Sequence, residues 1–476
     1  MTYKHGIYGV QAPTTDALPP AGVGTLPIYI GTAPVQQTSN PAIHVPVILN
    51  TFEDAVAKLG YSDNWSSYTL CEAIYAHFKN AIQPIGPIIA INVLDPSVHK
   101  KEGSQTIEIT NGVGYITAPA VLGTLSITGK TLGTDYTAAY TDDGRIKIAA
   151  LPGKTLAASV TVEYSEVDAS KVLPTDVIGG TSGGIRKGIA AVDLVYQTLN
   201  VVPTILAAPG WSHQKAVKEA LVSKANLVNG HWDAIVVADL DAGSTADSID
   251  KAIAWKIDNG YNDLPLKVVW PKARKADRTF WGSTLAVVQM QQTDFANDNV
   301  PYETPSNKQV DAAGTAVGSG PIYFDEIEAN QLNAKGITTF LFKGGIWVLW
   351  GAHNANYEDG APIDPKNVFD ASIRMQRYLT NTFQARYAPY LDGPLTRSLV
   401  DTILNDAGVW LNSLVAEGKL LSGSIAFHET SNLTSSMVTG DFLFDVLNTT
   451  TPVAKSLTFR VRYTTAGLAT LFGGEN

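Results

Sequence analysis

The sequence predicts a multidomain protein of mixed α/β and α+β class, built around a core sheet with flanking helices. Three observations support this prediction. Apolar strands alternate with amphipathic helices through much of the first 355 residues, which is the pattern of a largely parallel sheet. Residues 103–171 interrupt the alternation with short runs rich in Thr, Val and Ile. Extended segments lie at both ends, and two helices and a few strands precede the C-terminal one.

The composition is that of a large and weakly charged protein. Its 476 residues are enough for two to four domains of ~100–200 residues each. Only 16% of them are charged, against a usual ~25%, which suggests that assembly covers much of the surface. The net charge of −10 argues against non-specific nucleic-acid binding, and the single cysteine, Cys71, excludes an internal disulfide framework. No signal peptide or membrane-spanning run is visible, so we expect folding in the cytoplasm and no contact with a membrane.

The α/β core is predicted at 25–102 and 172–355, on either side of the interruption. Its first part contains strands Leu26–Ile30, Val45–Leu49 and Pro87–Leu94, with helices Phe52–Leu59 and Ser67–Phe78. Its second part alternates again, as helix Gly188–Leu199, strand Thr204–Ala208, helix Ser212–Val228, strand Asp233–Ala238, helix Thr245–Ile257 and strand Leu266–Trp270. A hairpin closes it, with Ile337–Phe342 and Trp347–Trp350 as its two strands.

Residues 103–171 are predicted to form an inserted all-β domain. Asp143-Gly144 is a typical hairpin turn within it. Because the core sheet continues across the insertion, its two ends should emerge close together. Its predicted strands are Thr106–Thr110, Leu125–Thr128, Tyr136–Tyr140, Arg145–Ile148 and Ser159–Tyr164.

A C-terminal α+β domain is predicted at 356–450. Asp364-Pro365 combines an N-cap with proline at the first helical position, so a helix should begin there. A second helix should end at Gly418, and strands should follow at Ser424–His428 and Phe442–Leu447. Arg374 and Arg377 lie three residues apart on the first helix. They indicate either a solvated face or a basic stripe that faces an acidic partner.

The two ends, 1–24 and 451–476, are predicted to be extended linking arms. In the C-terminal arm the apolar residues Leu457, Phe459, Val461 and Tyr463 alternate with polar ones, which is the pattern of a β-strand with one apolar face. The N-terminal arm carries His5, Ile7, Tyr8 and Val10 in a short extended stretch. Either arm could pair within its own chain or add a strand to the sheet of another molecule.

Signals for chemistry are weak. Gly180–Gly184 matches G-x-S-x-G, so one alternative is a serine hydrolase that uses Ser182. Another is a monomeric α/β protein that binds a ligand. No phosphate-binding loop or metal-binding spacing occurs in the sequence. We therefore expect no enzymatic activity, no catalytic or metal-binding residue and no cofactor.

Six segments carry a family resemblance through their order and spacing. They are similar to the sheath proteins of contractile phage tails and of related pyocin-like and injection particles. The chain departs from the family at Ala352-His353, where an arginine is commoner. The segments are His5-Gly6-Ile7, Thr25–Val35, Thr204–Gly210, Leu266–Pro271, Gly336–Asn354 and Pro394–Leu420.

The resemblance implies a structural tail sheath subunit. Such subunits polymerise as stacked six-fold rings around an inner tail tube, and they contract to drive the tube through the target cell envelope. It also implies that both arms link subunits by adding strands to a neighbour's sheet, and that the inserted β domain lies on the outside. The C-terminal domain would face the tube, with Arg374 and Arg377 as candidate tube contacts. Implied partners are further copies of the chain, the tube, baseplate and tail terminator proteins, in a virion tail assembled in the host cytoplasm.

Overall fold

The computed structural model describes residues 24–141, 144–318 and 320–472, and it confirms the mixed α/β class. The N-terminal arm residues His5, Ile7, Tyr8 and Val10 lie outside the described residues. The first part of the core contains β1 (Pro27–Gly31), β2 (Pro46–Leu49), α1 (Phe52–Leu59), α2 (Thr69–Phe78) and β3 (Ile88–Asn92). The inserted region contains β4 (Lys100–Glu108), β5 (Val113–Ile116), β6 (Ser126–Ile127), β7 (Tyr136–Tyr140), β8 (Ile146–Ala150) and β9 (Ser159–Val167).

The remaining elements follow in chain order. The core resumes with α3 (Pro174–Ile178), β10 (Gly180–Ser182), β11 (Ile185–Lys187), α4 (Leu194–Leu199), β12 (Ile205–Ala207), α5 (Lys215–Ala225), β13 (Ile235–Asp239), α6 (Ile249–Asp258) and β14 (Leu266–Val269). It continues with β15 (Lys272–Lys275), β16 (Arg278–Phe280), α7 (Gly282–Phe295), β17 (Gly314–Val317), β18 (Gly320–Ile322), α8 (Glu326–Asn333), β19 (Ile337–Lys343) and β20 (Ile346–Trp350). The C-terminal part contains α9 (Asp370–Tyr387), α10 (Arg397–Ala416), β21 (Leu420–Ala426), α11 (Thr434–Thr439) and β22 (Asp445–Thr450).

An eight-stranded sheet organises the core, in the order β2-β3-β1-β12-β13-β14-β19-β20. Its six inner strands are parallel, and β2 and β20 lie antiparallel at the two edges. Successive side chains of a strand enter opposite apolar layers, so Ile28 and Ile30 pack on one face and Tyr29 on the other. This explains why the inner strands are continuous apolar runs in the sequence.

Helix α7 covers one face of this sheet, and the sequence pattern did not predict it. Thirteen of its fourteen residues are buried, including Gln289, Gln291 and Gln292. Their side-chain amides form hydrogen bonds inside the protein. For example, Gln291 Nε2 donates to the backbone oxygen of Pro87 at 2.8 Å. A helix that is surrounded on all sides has no apolar stripe, so periodicity could not reveal it.

The inserted region forms two three-stranded antiparallel sheets, β4-β9-β6 and β5-β8-β7, around an apolar core of its own. Lys100 at the start of β4 pairs with Val167 at the end of β9, and Asp168 N donates to His99 O at 2.9 Å. The chain therefore leaves the core and returns to it at adjacent points, as predicted.

The C-terminal part consists of α9, α10 and the antiparallel hairpin β21–β22. A helix does begin at Asp364-Pro365, as predicted, but it is a short 3-10 helix and not the start of the long helix α9. Asp364 caps only a short turn at Pro365–Asn367, and the extended backbone of Phe369 separates that turn from α9. Helix α10 is followed at Gly418 by a left-handed residue with φ 74°, as expected of a helix end. The predicted terminal strand at 457–464 pairs with no strand in the described parts of the chain.

Candidate assembly interface

The C-terminal arm presents its apolar side chains to solvent. Leu457, Phe459, Val461 and Tyr463 are 74%, 84%, 92% and 86% exposed. Residues 457–463 make no hydrogen bond with any described part of the protein. Burial of one such side chain contributes about 1.5–3 kcal/mol. An exposed row of four therefore indicates a surface that a partner would cover.

The arm begins directly after the hairpin β21–β22. In that hairpin Ile425 opposes Val446 and Gly423 opposes Asn448. Strand β22 pairs only with β21 among the described strands, so its outer edge is open. The hairpin is held to α9 by side-chain contacts, including a 2.7 Å hydrogen bond from Gln376 Nε2 to Asn448 Oδ1.

A groove of about 410 Å³ lies between α9 and one face of this hairpin. Helix α9 supplies much of its lining, and Ile425, Phe444 and Val446 line it from the hairpin side. The hairpin thus offers an unpaired strand edge, and one of its faces borders a partly apolar groove. This combination suits an added strand, because the strand edge supplies main-chain hydrogen bonds and the groove accepts alternate side chains. Its other lining residues are Gln376, Leu379, Thr380, Phe383, Gln384, Tyr387, Ile403 and Asn448.

Arg374 does not form an exposed basic stripe, so its prediction as a tube contact is corrected. The side chain is buried and forms an ion pair with Asp294 of α7. Burial raises the pKa of Asp294, and the adjacent guanidinium lowers it. Removing Arg374 from this pair would leave a buried carboxylate without a cationic partner, so Arg374 is committed to internal packing.

Arg377 also binds within its own chain, but it is half-buried, so its assignment as a tube contact stays a prediction. It contacts Asp233 at 3.3 Å and donates to Ala234 O at 3.0 Å. Burial raises the pKa of Asp233 and lowers that of Arg377. Arg386, further along α9, forms a two-point pair with Asp406 of α10, with both distances 2.6 Å. The basic side chains of α9 therefore join parts of one subunit.

Ser182 lies in the short hairpin β10–β11 and is exposed. A nucleophile elbow needs a strand followed directly by a helix, whereas the tight Gly183-Gly184 turn after Ser182 leads into a second strand, β11. His99 and Asp176 line the same cavity, with His99 Nε2 3.5 Å from Asp176 Oδ2. However, His99 Nδ1 accepts a hydrogen bond from Asp95 N at 2.9 Å, so both ring nitrogens are already engaged. Ser182 makes no hydrogen bond with a histidine in the described parts of the chain.

The usual ligand crevice of an open α/β sheet is filled by the protein itself. Such crevices lie outside the carboxyl ends of the strands, where the chain order reverses, and here that place is between β1 and β12. Trp211 Nε1 donates to Thr69 Oγ1 at 3.3 Å across it. A Cβ at Gly31 would lie 2.3 Å from the same Thr69 oxygen, so the backbone and this side chain are already in close contact.

The N-terminus of α7, which could bind an anion, holds two buried carboxylates instead. Trp281 N donates to Glu72 at 2.8 Å, and Ser283 N donates to Asp239 at 2.7 Å. Burial raises the pKa of Glu72 to about 8 and that of Asp239 to about 6. The donors that would hold a phosphate are therefore occupied. Within the described ranges, no group of three or more His, Cys, Asp or Glu side chains is placed to hold a metal ion. No helix in those ranges is both long and apolar enough to span a membrane.

The described fold is that of contractile sheath proteins. Its superposition on a chain of the anti-feeding prophage baseplate includes 98% of this chain and 100% of that chain, with a TM-score of 0.57 and 12% sequence identity. A chain of the contracted sheath complex of an extracellular contractile injection system (PVC) superposes over the same fractions of both chains, with a TM-score of 0.55 and 11% sequence identity.

Sequence relatives point to the same class. The chain is 25% identical to the tail sheath protein of Burkholderia phage BcepMu, over 99% of each protein. It is 24% identical to the tail sheath protein of Escherichia phage P2, over 63% of this chain and 74% of that protein. No protein-family model matches. The resemblance to contractile tail sheath proteins is thus confirmed, and the names of these relatives support the prediction that the chain is not an enzyme.

Proposed function

We propose that this protein is a structural subunit of a contractile tail sheath. Its copies stack as six-fold rings around an inner tail tube, and contraction drives the tube through the envelope of the target cell. The sheath assembles in the host cytoplasm, meets the baseplate and tail terminator proteins at its ends, and becomes part of the virion tail. The observation that carries this proposal is the similarity to tail sheath proteins along nearly the whole chain.

The linking mechanism is supported by two complementary features of one subunit. The C-terminal arm offers a strand with an exposed apolar face, and β22 offers an open edge in a hairpin whose face borders a groove. We infer that the arm of one subunit adds to β22 of another and turns Phe459 and its apolar neighbours toward the groove. Eight residues of strand extend about 26 Å, which spans the six residues of β22.

The first residues of the C-terminal arm, 451–455, lie where pairing within the same chain is disfavoured. Thr451 Oγ1 donates to Gly418 O at 2.8 Å, which fixes the end of the hairpin. Four residues later, Lys455 Nζ lies 3.5 Å from the hydroxyl of Tyr357 on the core. A strand that returned along its own β22 would need to reverse between Thr451 and Leu457, whereas residues 453–457 line a groove together with core residues such as Tyr357.

The N-terminal arm is proposed to make a second link, through His5, Ile7, Tyr8 and Val10. The inserted β domain is proposed to lie on the outer surface of the sheath. Two links per subunit would keep the lattice connected while neighbouring subunits rotate. The free energy of contraction would be stored at assembly, when the extended sheath forms, and released as more surface is buried between subunits.

Negative-stain electron microscopy of purified full-length protein tests this proposal. We expect tubes or ring stacks from the full chain, and folded monomers from a chain that ends after Thr451. The truncated chain keeps all of β22 and the Thr451–Gly418 contact, so its fold should survive. A chain that ends after Phe472 is the matched control and should still assemble. Tubes formed without residues 452–476 would contradict linkage through the C-terminal arm.

A further inference from the structure

The N-terminal segment enters the described fold at a cluster of three buried polar side chains. Thr25 lies just before β1, Asp294 lies near the end of α7, and Arg374 lies in the second turn of α9. All three are buried. The cluster therefore joins the root of the segment to one helix of the core and one helix of the C-terminal part.

Thr25 bridges the ion pair between the other two residues. Its Oγ1 donates to Asp294 Oδ2 and accepts a hydrogen bond of 3.3 Å from Arg374 Nη2. Arg374 itself contacts both carboxylate oxygens of Asp294. The backbone continues the attachment, because Leu26 N donates to Thr204 Oγ1 at 2.9 Å and Thr204 N donates to Leu26 O at 3.0 Å.

The docking of α9 on the core does not need the threonine. Arg374 and Asp294 form a two-point pair by themselves, and one turn earlier Asp370 pairs with Lys267 of β14 at 2.7 Å. Both charges that α9 buries are thus balanced by opposite charges on the core. The Thr25 hydroxyl adds a connection between helices α7 and α9 and the first described residues of the chain.

We propose that Thr25, Asp294 and Arg374 form an anchor that passes tension on the N-terminal segment to α7 and α9 before it reaches β1. The inference rests on the proposed function, in which this segment connects subunits. Without the anchor, a pull at residue 24 would load the first hydrogen bonds of β1 one after another. Strand β1 pairs with both β3 and β12, so its loss would open both apolar layers of the core.

The C-terminal arm provides a comparison within the same molecule. Its start is held by the Thr451–Gly418 hydrogen bond and by a contact of 3.5 Å between Lys455 and Tyr357, and Lys455 is exposed. Exposed contacts of this kind contribute little, because water competes for both groups. The starts of the two arms therefore differ: the N-terminal one is held by buried contacts, and the C-terminal one is held by contacts at the surface.

Single-molecule pulling on the full chain tests the anchor. One handle is attached at the N-terminus and the other at Val409→Cys, an exposed position of α10, since the native Cys71 is fully buried. Thr25→Val removes the hydroxyl at nearly constant volume, and Thr25→Ser retains it. Thr339→Val is the matched control, because the Thr339 hydroxyl is buried and has no hydrogen-bond partner in the described parts of the chain.

We expect Thr25→Val to show its first extension about tenfold faster at constant force, the order that follows from losing a hydrogen bond to a charged group. Thr25→Ser and Thr339→Val should keep the rate of the wild type. An unchanged rate for Thr25→Val would overturn the anchor. The measurement uses single chains, so it is independent of assembly. Failure of the wild type to form tubes would count against the proposed function and leave the pulling result standing.

Discussion

Replacing Glu72 by Gln should stabilise the protein at alkaline pH and change its stability little near pH 4.5. Glu72 is buried in α2, where its Oε1 accepts hydrogen bonds from Trp281 N at 2.8 Å and from Thr284 Oγ1 at 2.6 Å. No cation forms an ion pair with it among the described residues. Burial is the main cause of its raised pKa, and the nearby Asp239 raises it further.

The magnitude follows from the difference between the folded and unfolded pKa. In the unfolded chain Glu72 should titrate near 4.5, whereas in the folded protein its pKa is about 8. Between these values the unfolded chain has already lost its proton while the folded protein retains it. The free energy of unfolding therefore falls by about 1.4 kcal/mol per pH unit across this window, or about 4–5 kcal/mol in total. Below pH 4.5 and above pH 8 the contribution is constant.

Glutamine keeps the carbonyl acceptor and an amide donor in place of the protonated carboxyl, but it cannot ionise. Urea unfolding of wild type and Glu72→Gln at pH 4.5, 6.5 and 9 would measure the difference. The two proteins must be compared at each pH, because buried His77 changes the free energy of unfolding with pH in the opposite direction. Burial lowers the pKa of His77 to about 3, so its contribution weakens folding as the pH falls below 6.5. Glu53→Gln is the control, since the Glu53 side chain is 79% exposed. An equal difference at pH 4.5 and pH 9 would refute the reasoning.

Two further substitutions test the interface and the internal charges. Phe459→Asp should prevent tube formation in negative stain, whereas Thr458→Asp on the opposite face should largely permit it; equal effects would refute the proposed orientation of the arm. Lys267→Met should lower the free energy of unfolding by about 3–5 kcal/mol, because it leaves Asp370 buried and unpaired, whereas Lys335→Met at an exposed pair should cost less than about 1 kcal/mol in the same urea assay.

The parts of the fold that could be predicted from the sequence are those with strong local patterns. Buried parallel strands are continuous apolar runs, and the predicted strand Thr204–Ala208 contains β12 at Ile205–Ala207. The hairpin of β7 and β8 was likewise indicated by its alternation and turn. Helix α7 could not be found in this way, because its glutamines and threonines bind partners far away in the chain, such as Thr284 with Glu72.

The incorrect prediction for Arg374 has the same origin. On a helix taken by itself, two arginines three residues apart indicate an exposed face. The partner that buries Arg374 is Asp294, 80 positions earlier, and it lies on the helix that the pattern missed. A buried ion pair requires both partners to be located, so missing one element turns an internal contact into an apparent surface feature. The exposed arm could be predicted because its alternation is local.

The distribution of charge explains why a sequence with few charged residues can still form a stable subunit. Lys267, Asp370, Arg374 and Asp294 are buried, and they join α9 to the core. Some apolar side chains of the C-terminal part are exposed instead, with Phe459 and Val461 more than four-fifths exposed and Leu447 of the hairpin 72% exposed. Ordinary monomers bury such residues and expose such charges. The reverse arrangement is what a polymer subunit requires, because its internal charges fix the shape of each subunit while its apolar surface becomes interior only when another copy binds.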